Sequence, residues 1–170
     1  MFGLRAGRRP PGEITSLMDR TDHVVSWAPV DDGTAVLASR FGLWWPDASG
    51  PRLIGWQLID KAVWNEGNLM VIEAEVIDGL LLVDRSPVTV RLAVPRDLPP
   101  TIRKRVEASV AQSEVGAVPG GLARFVARRV PGRDGLTWWA RLEPGTRDTP
   151  EARDTVRQIV DSLRARWEEV

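Results

Sequence analysis

The chain has no cysteine, no tyrosine, a single histidine and only two lysines, Lys61 and Lys104, in a basic complement that is otherwise arginine. Without cysteine there can be no disulfide, no thiolate nucleophile and no thiolate metal ligand, and the composition fits a reducing, cytoplasmic setting. With His23 as the only imidazole, most acid–base and metal chemistry that uses histidine is excluded. No run approaches the roughly 18 uncharged apolar residues of a membrane-spanning helix. Arg5, Arg8 and Arg9 follow the start without an apolar stretch behind them, which argues against a signal peptide. An excess of one charge is missing too, with 23 basic residues against 23 acidic ones. The net basic footprint of a nucleic-acid binder is therefore absent.

What is present is tryptophan, eight in 170 residues. Trp27, Trp44, Trp45, Trp56, Trp64, Trp138 and Trp139 sit in short alternating runs, and Trp167 ends the last amphipathic segment. Alternation at period two marks strands whose faces differ in burial. A chain of this length suits one compact domain, or one with an appended subdomain, able to bury its core without staples. The charge is unevenly spread. Residues 60–84 are acidic, with Asp60, Glu66, Glu73, Glu75, Asp78 and Asp84. Residues 120–147 are basic, with Arg124, Arg128, Arg129, Arg133, Arg141 and Arg147.

Residues 1–20 read as a loose arm with a helical turn around Glu13–Met18, packed through Phe2, Leu4, Ile14 and Leu17. From His23 strands follow: Val24–Ala28, a turn at Asp31-Asp32-Gly33, Thr34–Ser39 and Gly42–Trp45. Pro46–Pro51 reads as a loop by composition. Arg52–Trp64 reads as one long bent strand. It is turned by Asn65-Glu66-Gly67 into Asn68–Ile77, whose Glu73 and Glu75 read as its solvent side. Leu80–Val83 and Val88–Val94 follow. Thr101–Ser113 reads as a helix with Ile102, Val106 and Val110 on one stripe, and Gly116–Gly121 as a linker. A hairpin, Leu122–Val130 with Leu136–Glu143, leads to a helix opened by Thr149-Pro150 as N-cap and first residue. Ala152, Val156, Ile159, Val160, Leu163 and Trp167 form its apolar stripe.

Thr34–Ser39, Gly42–Trp45, Arg52–Ile59, Ala62–Trp64, Leu69–Ile72, Val90–Val94 and the helix after them follow one another in an order that resembles the bacterial pleckstrin-homology-like (PH-like) domains. The resemblance covers residues 23–113. It implies a mainly β, α+β fold: a split barrel of about seven to nine antiparallel strands with two helices packed on it. The implied organisation is an arm (1–20), a barrel core (21–116), and a hairpin plus C-terminal helix (117–170) packed on the same domain. It also implies a scaffold that binds lipid headgroups, peptides or partner proteins.

No constellation for catalysis stands out. His23 with Asp19, Asp22, Asp31 and Asp32 matches no metal-ligand spacing. No Gly-x-Ser-x-Gly elbow orients a serine such as Ser39 or Ser86 toward it. No glycine-rich loop matches a phosphate or dinucleotide fingerprint. The expectation is a non-catalytic binding or assembly module without metal or cofactor, engaging a protein partner. The alternatives are an anionic membrane surface held by the basic hairpin and a small enzyme built from carboxylates and arginine, with Glu73 and Glu75 as its pair. The expected recognition surface is Arg124, Arg128, Arg141 and Trp139 on the hairpin, together with Trp45. In Trp44-Trp45 and Trp138-Trp139, adjacent strand residues point to opposite faces, so one indole of each pair enters the core and the other faces out or meets a helix. If the last helix buries its whole stripe, Trp167→Ala costs about 3–5 kcal/mol.

Overall fold

A computed structural model describes residues 9–168, and the expected packing of Phe2 and Leu4 lies outside them. The fold is mixed α+β. Its elements are α1 (Gly12–Thr15), β1 (Val24–Pro29), β2 (Ala35–Ser39), β3 (Gly42–Asp47), β4 (Gly50–Gly55), a 3-10 turn (Trp56–Leu58), β5 (Ile59–Asn65), β6 (Asn68–Ile77), β7 (Leu81–Asp84), β8 (Val88–Arg91), α2 (Leu98–Ser109), β9 (Val110–Val118), β10 (Gly121–Arg128), β11 (Thr137–Leu142) and α3 (Pro150–Glu168). The chain forms two compact units. One comprises the chain up to Glu73 with Ser86–Glu107, the other Ala74–Arg85 with the chain from Ala108 onward.

In the first unit β1 to β4 form an antiparallel meander. The first residues of β6 pair with β5 on one side and with β8 on the other, and an isolated bridge joins Val30 to Leu92. The inward positions of these strands, with Leu98 and Ile102 of α2, make one apolar cluster that holds Trp45 and Trp56. A second, smaller cluster puts Ile14 of α1 over Ala35, Leu37 and Trp44. The short helix thus covers the reverse face of β2 and β3, while Leu17 stays exposed.

Three local expectations are corrected here. Pro46–Pro51 is not a loop but a hairpin whose two-residue turn is Ala48-Ser49. Asp47 and Gly50 close that turn as the hydrogen-bonded pair, so Pro46 and Pro51 face each other where neither needs an N–H toward the other. Arg52–Trp64 is not one strand, because the 3-10 turn at Trp56 separates β4 from β5. α2 starts earlier than expected, at Leu98, since Pro99 and Pro100 occupy a first turn that has no intrahelical use for their N–H groups.

α2 also stops at Ser109, and Val110–Val118 is a strand where a helix end and a linker were expected. Pairing with β10 along nearly its whole length overrides the local helical pattern. The expected linker is the end of β9 and the Pro119-Gly120 turn, with Gly120 at φ 84°. The second unit then runs from the last residues of β6 through β7, β11 and β10 to β9. The β7–β11 contact, Leu81 beside Ala140, is parallel, whereas the other named strand pairs are antiparallel. Phe125, Ala127, Trp138 and Ala140 on one face meet Val156, Val160 and Leu163 of α3.

α3 begins as its sequence indicates, with Thr149 Oγ1 accepting a hydrogen bond from the Ala152 N–H at 3.1 Å. Its buried residues are Ala152, Val156, Val160 and Leu163. Trp167 breaks the expected stripe. It is 39% exposed, one turn past the last buried position. The stability cost expected at Trp167 therefore belongs to Leu163. Leu163→Ala should lower the unfolding free energy by about 2–5 kcal/mol in urea titration, whereas Trp167→Ala should change it by about 1 kcal/mol or less.

Candidate functional site

A concavity of the first unit lies between β5 and α2, with a volume near 600 Å³. Its geometry starts at the Glu66-Gly67 turn, where both residues have positive φ, 48° and 87°, as a tight two-residue hairpin requires. That turn makes Asn65 and Asn68 a hydrogen-bonded pair and fixes the alternation of the whole β5–β6 ladder. Lys61, Val63 and Asn65 direct their peptide groups at β6, and Ala62 and Trp64 direct theirs away from it. The Leu92 N–H donating to Gly67 O at 3.0 Å confirms the phase, since it puts the odd residues of β6 toward β8. β5 is an end strand, so no strand among the described residues takes up the outward groups of Ala62 and Trp64.

The side chains of Ala62 and Trp64 share a face with their partners Val71 and Leu69, both buried. Opposite them α2 presents Ile102 and Val106, with Pro99 and Pro100 at its start. Trp64 is 38% exposed, because the strand ends just beyond it. The groove therefore has an apolar floor of Leu69, Ile102 and Val106 and one indole wall. Lys61, Arg103 and Glu107 form a mixed-charge rim, where Arg103 Nε donates to Glu107 at 3.0 Å one helical turn on. Its lining contains no imidazole, hydroxyl or thiol side chain. A second cavity of the same unit, near 420 Å³, lies under α1 beside Trp27, whose ring carries the Arg96 guanidinium at 4.2 Å.

The hairpin of the second unit has the register that the arginine–tryptophan surface needs. Arg124 lies opposite Arg141 and Val126 opposite Trp139, so Arg124, Arg128, Trp139 and Arg141 share one face. Their environment departs from the expectation. Arg128 is buried and donates to Ser109 Oγ at 2.8 Å. Trp139 is 9% exposed. Arg124 pairs with Glu143 at 3.0 Å and Arg141 with Asp84 at 2.7 Å. Trp45 is enclosed in the apolar cluster of the first unit. All four residues of the two tryptophan pairs are buried, so neither pair leaves an outward indole. In the first pair Trp45 enters the main cluster and Trp44 lies under α1, which is how both faces come to be covered. Of the five surface residues expected from sequence, only Arg124 is exposed, and its guanidinium is engaged.

The carboxylate pair is also corrected. Glu73 is not on a solvent face but on the buried side of β6 with Leu69 and Val71. There both its oxygens accept from Arg52, at 3.0 and 2.7 Å. The two hydrogen bonds, helped by Asp47, hold the Arg52 guanidinium still more firmly protonated than usual. Glu75 is exposed and lies 3.9 Å from Arg85. The aspartates around His23 serve the backbone. Asp19 accepts from the N–H and hydroxyl of Thr21, which lowers its pKa, and Asp22 accepts from the N–H groups of His23 and Phe41. Among the described residues no group of three His, Asp or Glu side chains is placed to hold a metal ion. Ser39 Oγ is buried against the Gly42 carbonyl. Among the described residues no helix is long and apolar enough to cross a membrane.

Searches against family models, curated proteins and solved structures found no match. The groove residues were thus to be found only by geometry. One signal was present in the sequence: Trp64 directly precedes a hairpin turn, where a large indole has little strand left to shelter it.

Removing the partner of a nearly buried carboxylate leaves its charge uncompensated. Arg52→Ala should therefore destabilise the chain by about 1–3 kcal/mol. Arg52→Ala combined with Glu73→Gln should recover part of the loss. Urea melts of the two variants beside the parent chain measure both effects.

Proposed function

We propose that this chain is a non-catalytic binding module that holds an extended segment of a protein partner in the groove between β5 and α2. The observation that carries this reading is the unpaired outer edge of β5 above an apolar floor. A peptide lying along that edge can hydrogen-bond the outward groups of Ala62 and Trp64 and set alternate side chains against Trp64, Val106 and Ile102. Main-chain pairing supplies affinity in such strand addition, and the side-chain pockets supply selectivity. The mixed rim of Lys61, Arg103 and Glu107 favours a segment with little net charge.

A PH-like plan for the first unit fits this reading. What supports it is a four-stranded meander and a three-stranded set of β5, β6 and β8, followed directly by a helix whose Leu98 and Ile102 join the core. The membrane-surface reading has less behind it, because Arg124, Arg128 and Arg141 are engaged within their own unit. The carboxylate-enzyme reading loses its pair, since Glu73 is occupied by Arg52.

A displayed library of random peptides, selected on the purified chain, tests the proposal. The selected peptides should carry apolar residues at alternate positions. Trp64→Ala and Val106→Asp should each weaken their binding at least about tenfold, without altering the far-ultraviolet spectrum. Peptides that bind both variants as tightly as the parent would overturn it.

A further inference from the structure

We propose that β9 is a self-association edge, through which two copies of this chain pair antiparallel about a two-fold axis at Ser113. The inference is independent of the β5 groove and rests on residues of the second unit alone.

β9 ends its sheet, and over its nine residues only Val118 is buried. Exposed sheet edges are ordinarily protected by lysine, proline, a bulge or a covering element. β4 carries Pro51 and Arg52, and β5 carries Lys61. β9 has Glu114 as its one charge, no lysine and no proline, and it adds exposed Val110 and Val115. Its register shift falls at Ala111, near its start, and among the described strands it is the long end strand with neither lysine nor proline.

The hydrogen-bond phase selects the register. The Pro119-Gly120 turn makes Val118 and Gly121 a bonded pair, so Gln112, Glu114 and Gly116 bond to β10, while Ser113, Val115 and Ala117 direct their peptide groups outward, up to the register shift at Ala111. Glu143 N–H donating to Leu122 O at 2.9 Å on the far side of β10 agrees with this phase. A two-fold axis at Glu114 would set two carboxylates face to face, which costs stability. An axis at Ser113 makes Ser113 and its copy a bonded pair. It places Gln112 against Glu114 of the other copy, where the amide can donate to the carboxylate, and Val115 across from the bulge at Ala111. The edge is self-complementary in that register, which is why the occupant is a second copy rather than an unrelated strand.

Sedimentation velocity on the full chain tests this. The parent chain should sediment as a dimer by about 100 µM. Ser113→Pro removes an outward N–H, a position where a strand tolerates proline, together with the exposed hydroxyl that accepts from Arg124 at 3.3 Å, and Val115→Lys adds a protecting charge at an exposed site. Each should raise the dissociation constant at least about tenfold while the urea midpoint at low concentration stays that of the parent. Should Ser113→Pro fail to fold, Val115→Lys carries the test alone. A monomeric parent chain at that concentration would overturn the proposal. So would a dimer unaffected by Val115→Lys, or a dimer abolished by Trp64→Ala instead.

Discussion

The first unit depends on the burial of one indole at a corner. Trp56 opens the 3-10 turn between β4 and β5, is almost wholly enclosed in the apolar cluster, and donates from Nε1 to the Ser39 carbonyl at 2.9 Å. A buried indole N–H without a partner would be costly, so this bond and the packing around the ring define one position for the corner. Gly42 permits the close approach on the other side, since a Cβ there would lie 2.2 Å from the Ile54 carbonyl oxygen. Once the chain turns at Trp56, β5 pairs forward with β6 and leaves its other edge beside α2. The groove is thus a consequence of where the strand is broken.

The charges follow a second rule, local neutralisation. Arg52 serves Asp47 and Glu73, Arg91 lies 3.3 Å from Asp31, Arg124 serves Glu143, Arg141 serves Asp84, and Arg153 serves both Asp148 and Asp78. Planar guanidinium groups suit such paired contacts better than ammonium groups do. Most of these pairs are half-exposed, and each adds little stability of its own. Their larger effect is on recognition. A basic stretch of sequence does not become a basic face when its arginines are already bonded to carboxylates of the same unit.

Much of the fold was legible in the sequence. Period-two runs located β1, β2, β3, β6 and the β10–β11 hairpin, and Thr149-Pro150 placed the start of α3 within a residue. What escaped was decided by partners distant in sequence. Val110–Val118 has a helical pattern at its start and a linker composition at its end, and only β10 makes it a strand. The two prolines flanking Ala48-Ser49 look like loop residues until the hairpin phase shows that neither owes a hydrogen bond to the other. Trp167 keeps the helical period, but period does not reveal where the sheet beneath a helix stops. At the site, composition drew attention to the basic hairpin and to paired tryptophans, which turn out to be engaged or enclosed. The groove is made of ordinary residues whose significance comes from an unpaired edge, and an unpaired edge leaves no mark in composition.

The central claim is that the outer edge of β5 is open. Amide hydrogen exchange, followed residue by residue by nuclear magnetic resonance on the isolated chain, tests it most directly. The N–H groups of Lys61 and Val63 should exchange slowly, and those of Ala62 and Trp64 between and beside them should exchange fast. Uniform slow exchange from Lys61 to Trp64 would mean that the edge is already covered and would contradict the account.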